Sequence, residues 1–125
     1  MKFLKINIHW ISTLIFLFLI LCGTLTPRDV FEVPDFGSDK QYHLLAFTLF
    51  VMPLTFNKLK NIYWVLPGAI VLGALIELIQ PFVGRYGDIK DFYADTLGSV
   101  IGVCLIALIK MIAFIKLKRI SCIHR

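Results

Sequence analysis

The apolar residues of the chain fall into four runs separated by short polar segments. The runs cover residues 6–25, 42–56, 62–79 and 92–115. Each is close to the ~20 residues that a helix needs to cross the hydrocarbon layer of a bilayer, and the second run is the shortest. The pattern predicts an all-α fold, a four-helix transmembrane bundle that forms one domain over residues 1–125.

Composition favours membrane insertion over a soluble fold. Hydrophobic residues make up 58% of the chain and charged residues only 17%, which is too apolar for a soluble domain of this length. The first run follows a basic start, as in a secretory signal peptide, but it is long for one and no small-residue cleavage site follows it. We therefore expect an uncleaved anchor. Cys22, Cys104 and Cys122 lie in apolar runs or in the basic tail and predict no disulfide framework.

The distribution of charge predicts how the helices are oriented. Nine of the 13 basic residues stand in segments without acidic residues, and all eight acidic residues belong to the opposite side of the membrane. The nine are Lys2, Lys5, Lys58, Lys60, Lys110, Lys116, Lys118, Arg119 and Arg125. The positive-inside rule then places both termini in the cytoplasm and predicts a multi-pass protein of the cell membrane, the bacterial inner or plasma membrane. Because the basic residues act as membrane anchors, no nucleic-acid partner is predicted.

Four of the eight acidic residues crowd into the end of the third run and the start of the fourth. Glu77 lies ~22 Å along the third helix at ~1.5 Å per residue, below the outer hydrocarbon boundary. Asp88, Asp91 and Asp95 follow at steps of three and four and share one face of the fourth helix. Because a carboxylate is costly among apolar side chains, this spacing predicts a polar site between membrane helices.

The second helix adds polar groups at the same end of the bundle. Asp39 and His43 are four residues apart and share a helix face, with Lys40 beside them. Gln80 lies at the end of the third helix, and Arg85 lies in the turn that follows it. The predicted ligand-binding residues, all at the outer face, are Asp39, Lys40, His43, Glu77, Gln80, Arg85, Asp88, Asp91 and Asp95.

Glycine and proline predict where the third helix ends and the fourth begins. Pro81 cannot continue the third helix, and Gly84 and Gly87 supply unusual backbone angles for a tight turn. Asp88 then stands where a side-chain oxygen would cap the fourth helix.

Small residues predict close contacts between helices. Gly68 and Gly73 mark such places on the third helix, and Gly98 and Gly102 form a small-xxx-small pattern on the fourth. Such a face lets another helix approach closely, and it would also allow a homodimer.

The polar motifs and their order resemble those of the VanZ-like family of small multi-pass membrane proteins. The matching elements are Asp39-Lys40-x-x-His43, Glu77-x-x-Gln80, Gly84-Arg85 and Asp91-x-x-x-Asp95-x-x-Gly98-x-x-x-Gly102. The family's namesake is associated with low-level resistance to the glycopeptide antibiotic teicoplanin, so the resemblance implies a protein of the cell envelope. This chain has Asp95 where the family pattern most often has asparagine, which adds a charge and removes a donor.

Several functions remain open for this set of residues. In a binding site for an anionic lipid head group or a cell-wall precursor, Arg85 would hold the anion in a fork, with Lys40 and His43 as further donors. In an enzyme, the carboxylates would hold Mg²⁺ or Mn²⁺ against a lipid phosphate, with His43, Glu77 and Asp91 as catalytic candidates. No spacing matches a known metal or nucleophile motif, so we assign neither an activity nor a cofactor beyond this divalent cation.

Two further alternatives require neither a bound lipid nor an enzymatic reaction. The polar residues would act as a scaffold if they only joined helices by hydrogen bonds, each contributing ~0.6–2 kcal/mol. They would serve cation- or proton-coupled transport if Glu77 carried the exchanged proton.

Overall fold

A computed structural model describes residues 7–27 and 39–123, and four α-helices account for most of them. The helices are α1 Ile8–Leu25, α2 Asp39–Asn57, α3 Ile62–Ile79 and α4 Ile89–Ile123. Short 3₁₀ turns follow α2 and α3, and no strand occurs in the described ranges. The predicted all-α, four-helix bundle is confirmed.

The helices differ in length more than the apolar runs predict. α3 has the predicted bounds, whereas α4 contains 35 residues and reaches ~52 Å at ~1.5 Å per residue. Residues 111–122 of α4 are exposed along their whole length. The last turns of α4 therefore extend beyond the other helices.

The turn between α3 and α4 confirms most of the local predictions. α3 ends at Ile79, and Pro81 lies in the 3₁₀ turn that follows. Gly84 adopts a left-handed conformation with φ 74°. The Asp88 carboxylate accepts a hydrogen bond of 2.9 Å from the Lys90 backbone N–H and so caps α4.

Gly87 is a glycine for a different reason from the predicted one. Its φ is not positive, so the prediction of an unusual backbone angle is wrong for this residue. A Cβ atom at Gly87 would instead lie 2.6 Å from the carbonyl oxygen of Glu77. The glycine is needed because the two backbone segments are close together.

α2 is the central helix and contacts the other three. Its side chains Phe47, Val51 and Leu54 are buried against neighbours from α1, α3 and α4. Three segments are long and apolar enough to cross a membrane, namely Ile8–Leu25, Leu59–Val83 and Ile89–Cys122. α2 is not among them, because the polar residues of its first turns lower its mean hydropathy.

The glycines of α4 allow a close backbone contact with α2. A Cβ atom at Gly98 would overlap the Leu44 carbonyl oxygen, and one at Gly102 would lie 2.5 Å from the Thr48 carbonyl oxygen. The Thr48 hydroxyl also donates a hydrogen bond of 3.0 Å to the Gly98 carbonyl. The predicted close approach is confirmed, and α2 covers this face of α4.

The outside of the bundle is largely apolar. Leu14, Phe18, Leu75 and Leu108, from three different helices, each expose about half or more of their side chains. Apolar surface of this extent needs a non-aqueous environment. Together with the three apolar helices, it identifies a membrane protein.

Candidate functional site

A buried imidazole and a buried carboxylate join α2 to α4. His43 is 4% exposed and Asp95 is fully buried. His43 Nδ1 donates a hydrogen bond of 2.9 Å to Asp95 Oδ1. His43 lies about one turn into α2 and Asp95 about two turns into α4, counted from the same end of the bundle, which is why the two side chains meet.

Glu77 brings α3 to the same point. One ligand atom from each of His43, Glu77 and Asp95 can be chosen so that all three lie within 4.8 Å of one another. The Oε2 atom of Glu77 accepts a hydrogen bond of 2.7 Å from the Asp88 backbone N–H, which fixes the carboxylate against the start of α4. The structure therefore brings together one polar side chain from each of three helices.

Several oxygen atoms of this region have no hydrogen-bond partner. Asp91, one turn before Asp95, is 7% exposed. The unpartnered buried atoms are Glu77 Oε1, Gln80 Oε1, Asp91 Oδ1, Asp95 Oδ2 and Thr96 Oγ1. Within the described ranges, no lysine or arginine forms an ion pair with these carboxylates. Buried carboxylate oxygens are normally paired, so the cluster has unused capacity to bind a donor or a cation.

Gly73 belongs to the site, although sequence analysis assigned it only to helix packing. A Cβ atom there would lie 3.0 Å from Asp95 Oδ2, so the glycine leaves room for the carboxylate. The signal in the sequence is its position one helical turn before Glu77. Gly68 does not share this role, because a Cβ atom at Gly68 would meet nothing within 4 Å, and the predicted close packing at that residue is wrong.

Lys40 and Asp88 form a separate pair at the rim. Lys40 Nζ lies 3.8 Å from Asp88 Oδ2, and the two side chains are 48% and 43% exposed. Asp39, also exposed, lies next to Lys40 at the first turn of α2. An exposed pair of this kind contributes only ~0–1 kcal/mol to stability.

Arg85 and Gln80 bind to α1, and in the described part of the chain neither pairs with the buried carboxylates. Arg85 Nη1 donates hydrogen bonds to the carbonyl oxygens of Gly23, at 2.7 Å, and Thr26, at 3.2 Å. Gln80 Nε2 donates to the Thr24 carbonyl at 3.3 Å. The last carbonyls of a helix lack partners within it, so these two side chains fasten the end of α1 to the turn after α3.

A groove of about 360 Å³ runs between α1 and α2. Its walls are mostly apolar, and its polar lining residues gather where α1 ends and α2 begins. The apolar walls come mainly from Phe16, Leu19, Ile20, Leu45, Phe47 and Leu49, and the polar end has Asp39, His43 and Arg85. Sequence analysis did not predict the groove, because it depends on how two helices pack.

An open depression of about 410 Å³ lies on the other side of the cluster. It is lined by Glu77 together with residues of the α3–α4 turn, including Pro81 and Gly87. His43 lines the groove and Glu77 lines the depression. The buried cluster can thus be reached from two sides.

Replacing Arg85 with methionine is expected to loosen the end of α1. The substitution keeps an extended apolar stem but removes both hydrogen bonds to α1 carbonyls, at an expected cost of about 1–3 kcal/mol. Amide hydrogen exchange in detergent should become faster in the last turn of α1. Lys90→Met is the matched control, since Lys90 is an exposed cation nearby. Equal exchange rates in the two variants would contradict this role of Arg85.

The apolar helices and the buried imidazole–carboxylate cluster define a small membrane protein with a polar site between its helices. The chain belongs to the VanZ/LLP1 family, since the family model of that description matches residues 6–110. The matched range contains all nine predicted site residues. The resemblance predicted from the motifs is thereby confirmed. No curated protein and no solved structure matches the chain.

Proposed function

We propose that this VanZ-type membrane protein binds a lipid with an anionic head group in the groove between α1 and α2. The observation that carries the proposal is the polarity of the groove, whose apolar walls end at Arg85 and His43. An amphiphile has the same division between an apolar chain and a polar head. The volume of the groove, about 360 Å³, lies within the ~300–1,000 Å³ that is usual for small-molecule sites.

Arg85 is the residue best suited to hold the head group. Both of its hydrogen bonds to α1 use Nη1, and Nη2 and Nε have no acceptor among the described residues. A guanidinium can donate two parallel hydrogen bonds to phosphate or carboxylate. Fastening the side chain to α1 also reduces the conformational freedom that it would lose on binding.

The groove is open sideways, where the acyl or prenyl chain of a lipid would enter. Leu19 and Leu45, on opposite walls, are 57% and 56% exposed. An acyl or prenyl chain lying between them would replace the membrane lipid that otherwise covers these walls. The rest of this lipid chain would continue into the bilayer.

We further propose that α2 also crosses the membrane, giving four spans with both termini in the cytoplasm. The 19 residues of α2 reach ~28 Å, close to the ~30 Å hydrocarbon thickness. Its charged residues, Asp39 and Lys40, stand in its first turn, so the mean hydropathy of the whole helix underestimates its apolar remainder. With the positive-inside rule, the polar end of the groove then faces the outer leaflet of the cell membrane.

A cell-wall precursor carried on a lipid is one anionic ligand found in that leaflet, and it would connect the site to glycopeptide resistance of the kind associated with teicoplanin. A general anionic phospholipid is the other source of the same chemistry. The identity of the retained lipid distinguishes the two.

Gly23→Leu is expected to displace the lipid without disturbing the protein. Gly23 lines the groove, and a Cβ atom there meets nothing within 4 Å, so the leucine side chain would fill groove space. Native mass spectrometry of protein extracted gently from its own membrane should show a retained lipid in the wild type and a loss of most of it in the variant.

Gly68→Leu is the matched control for this experiment. Gly68 is also a helical glycine with nothing within 4 Å of an added Cβ, but it lines a different depression, formed by α1, α2 and α3. It should retain the lipid like the wild type. Wild-type protein without lipid, or equal retention in both variants, would contradict the proposal and favour a scaffold function for the polar residues.

A further inference from the structure

We propose that His43, Glu77 and Asp95 bind a divalent transition-metal ion, with Asp91 as an adjacent oxygen donor. The site lies in the buried cluster between α2, α3 and α4. It shares His43 with the groove, but it does not depend on whether the groove holds a lipid.

The distances within the cluster suit a single ion. The three ligand atoms lie within 4.8 Å of one another. Bonds of ~2.0–2.2 Å to one metal place its ligand atoms about 3–4 Å apart. Small rotations of the side chains would close this difference, with the ion taking the place of the proton between His43 Nδ1 and Asp95 Oδ1.

The unpartnered oxygen atoms indicate a missing positive group, independently of these distances. Asp95 is fully buried and its Oδ2 has no hydrogen-bond partner. Glu77 Oε1 and Asp91 Oδ1 are also buried without partners. In the described part of the chain, the lysine nearest in sequence to His43, Lys40, pairs instead with Asp88 at the rim. A divalent cation would supply the charge that these carboxylates lack.

Residues around the cluster hold the carboxylates in place, as the residues around a metal site hold the side chains that bind the metal. Gly73 leaves space beside Asp95 Oδ2, where a Cβ atom would lie 3.0 Å away. The Asp88 backbone N–H bonds one oxygen of Glu77 and leaves the other without a partner. Hydrogen bonds of this kind orient the side chains that bind the ion in metal sites. Three ligands from three packed helices are also more rigidly held than ligands on a loop.

The donor set selects the class of metal. Mg²⁺ and Ca²⁺ prefer oxygen-only sites, whereas one imidazole with two or three carboxylate oxygens suits Mn²⁺ or Zn²⁺. The depression beside Glu77 gives an ion a path that does not cross the apolar groove. We therefore choose Mn²⁺ alone as the probe, because it can be observed directly by electron paramagnetic resonance.

The test is Mn²⁺ titration of the purified protein in detergent. The wild type is expected to bind one Mn²⁺ per chain, and Asp95→Asn and Glu77→Gln should each weaken binding by at least about tenfold. Asp88→Asn is the matched control: it removes a carboxylate of the same turn that pairs with Lys40, and the amide oxygen can still cap α4. This variant should bind Mn²⁺ like the wild type.

A second measurement on the wild type keeps the proposal testable if the variants fail to fold. Pulsed electron paramagnetic resonance of the bound Mn²⁺ should show coupling to one imidazole nitrogen, that of His43. Absence of stoichiometric binding, absence of the nitrogen coupling, or equal weakening by Asp88→Asn would each overturn the site. In those cases, water molecules or bound protons would supply the hydrogen bonds that the unpartnered oxygens lack.

Discussion

Replacing Gly98 with valine is expected to prevent α2 and α4 from packing and to remove most of the folded protein. A Cβ atom at this residue would overlap the Leu44 carbonyl oxygen. Backbone atoms cannot move aside as a side-chain end can, so the helices must separate along their contact. Overpacking in a core costs ~1–3 kcal/mol or more, and here the His43–Asp95 hydrogen bond between the same helices would also be lost.

Fluorescence-detected size-exclusion chromatography and thermal unfolding in detergent would measure this effect. Gly68→Val is the control, because it introduces the same side chain at a helical glycine where a Cβ atom meets nothing within 4 Å. The control should elute and unfold like the wild type. A Gly98→Val protein that is as stable as the control would show that α2 and α4 do not approach as described.

Replacing His43 with leucine is expected to be the most destabilising change within the site. It leaves Asp95 buried with neither carboxylate oxygen hydrogen-bonded. Removing one partner of a buried ionic pair costs ~3–5 kcal/mol, whereas replacing both partners by apolar residues is often nearly neutral. The double variant His43→Leu with Asp95→Leu should therefore recover most of the stability that the single variant loses.

Unfolding by sodium dodecyl sulfate in mixed micelles, with a chelator present, would give the free energies for this double-mutant cycle. The Lys40 and Asp88 pair provides the comparison cycle. Because its side chains are about half exposed and 3.8 Å apart, its coupling should not exceed ~1 kcal/mol. Equal coupling in the two cycles would contradict the distinction between a buried cluster and an exposed rim.

The unpartnered oxygens distinguish a binding site from a pure scaffold. A pure scaffold would satisfy its own polar groups, yet three carboxylates from α3 and α4 retain unpartnered oxygens. Arg85 and Gln80 do act structurally, through their bonds to α1. The polar residues thus divide into some that join helices and others that remain available to a ligand.

Much of the architecture followed from the sequence alone. Four apolar runs predicted four helices, and α3 ended as expected, because Pro81 lacks the N–H for a further helical hydrogen bond and the glycines after it favour a turn. The close approach at Gly98 and Gly102 was also predictable, since only small residues let helix backbones meet. His43, Glu77 and Asp95 could be selected because charge is costly in an apolar run.

The tertiary structure decided which of the polar residues are grouped together. Helical periodicity gives the face on which a residue lies, but not which neighbouring helix covers that face or how far it is rotated. Arg85 shows the difference, because the sequence analysis grouped it with the carboxylates in one predicted site, whereas the fold directs it to the carbonyls at the end of α1. Gly87 and the groove between α1 and α2 likewise depend on contacts between segments distant in sequence. The sequence determined the class of protein and its polar residues, and only the packing of the helices decided which of those residues meet.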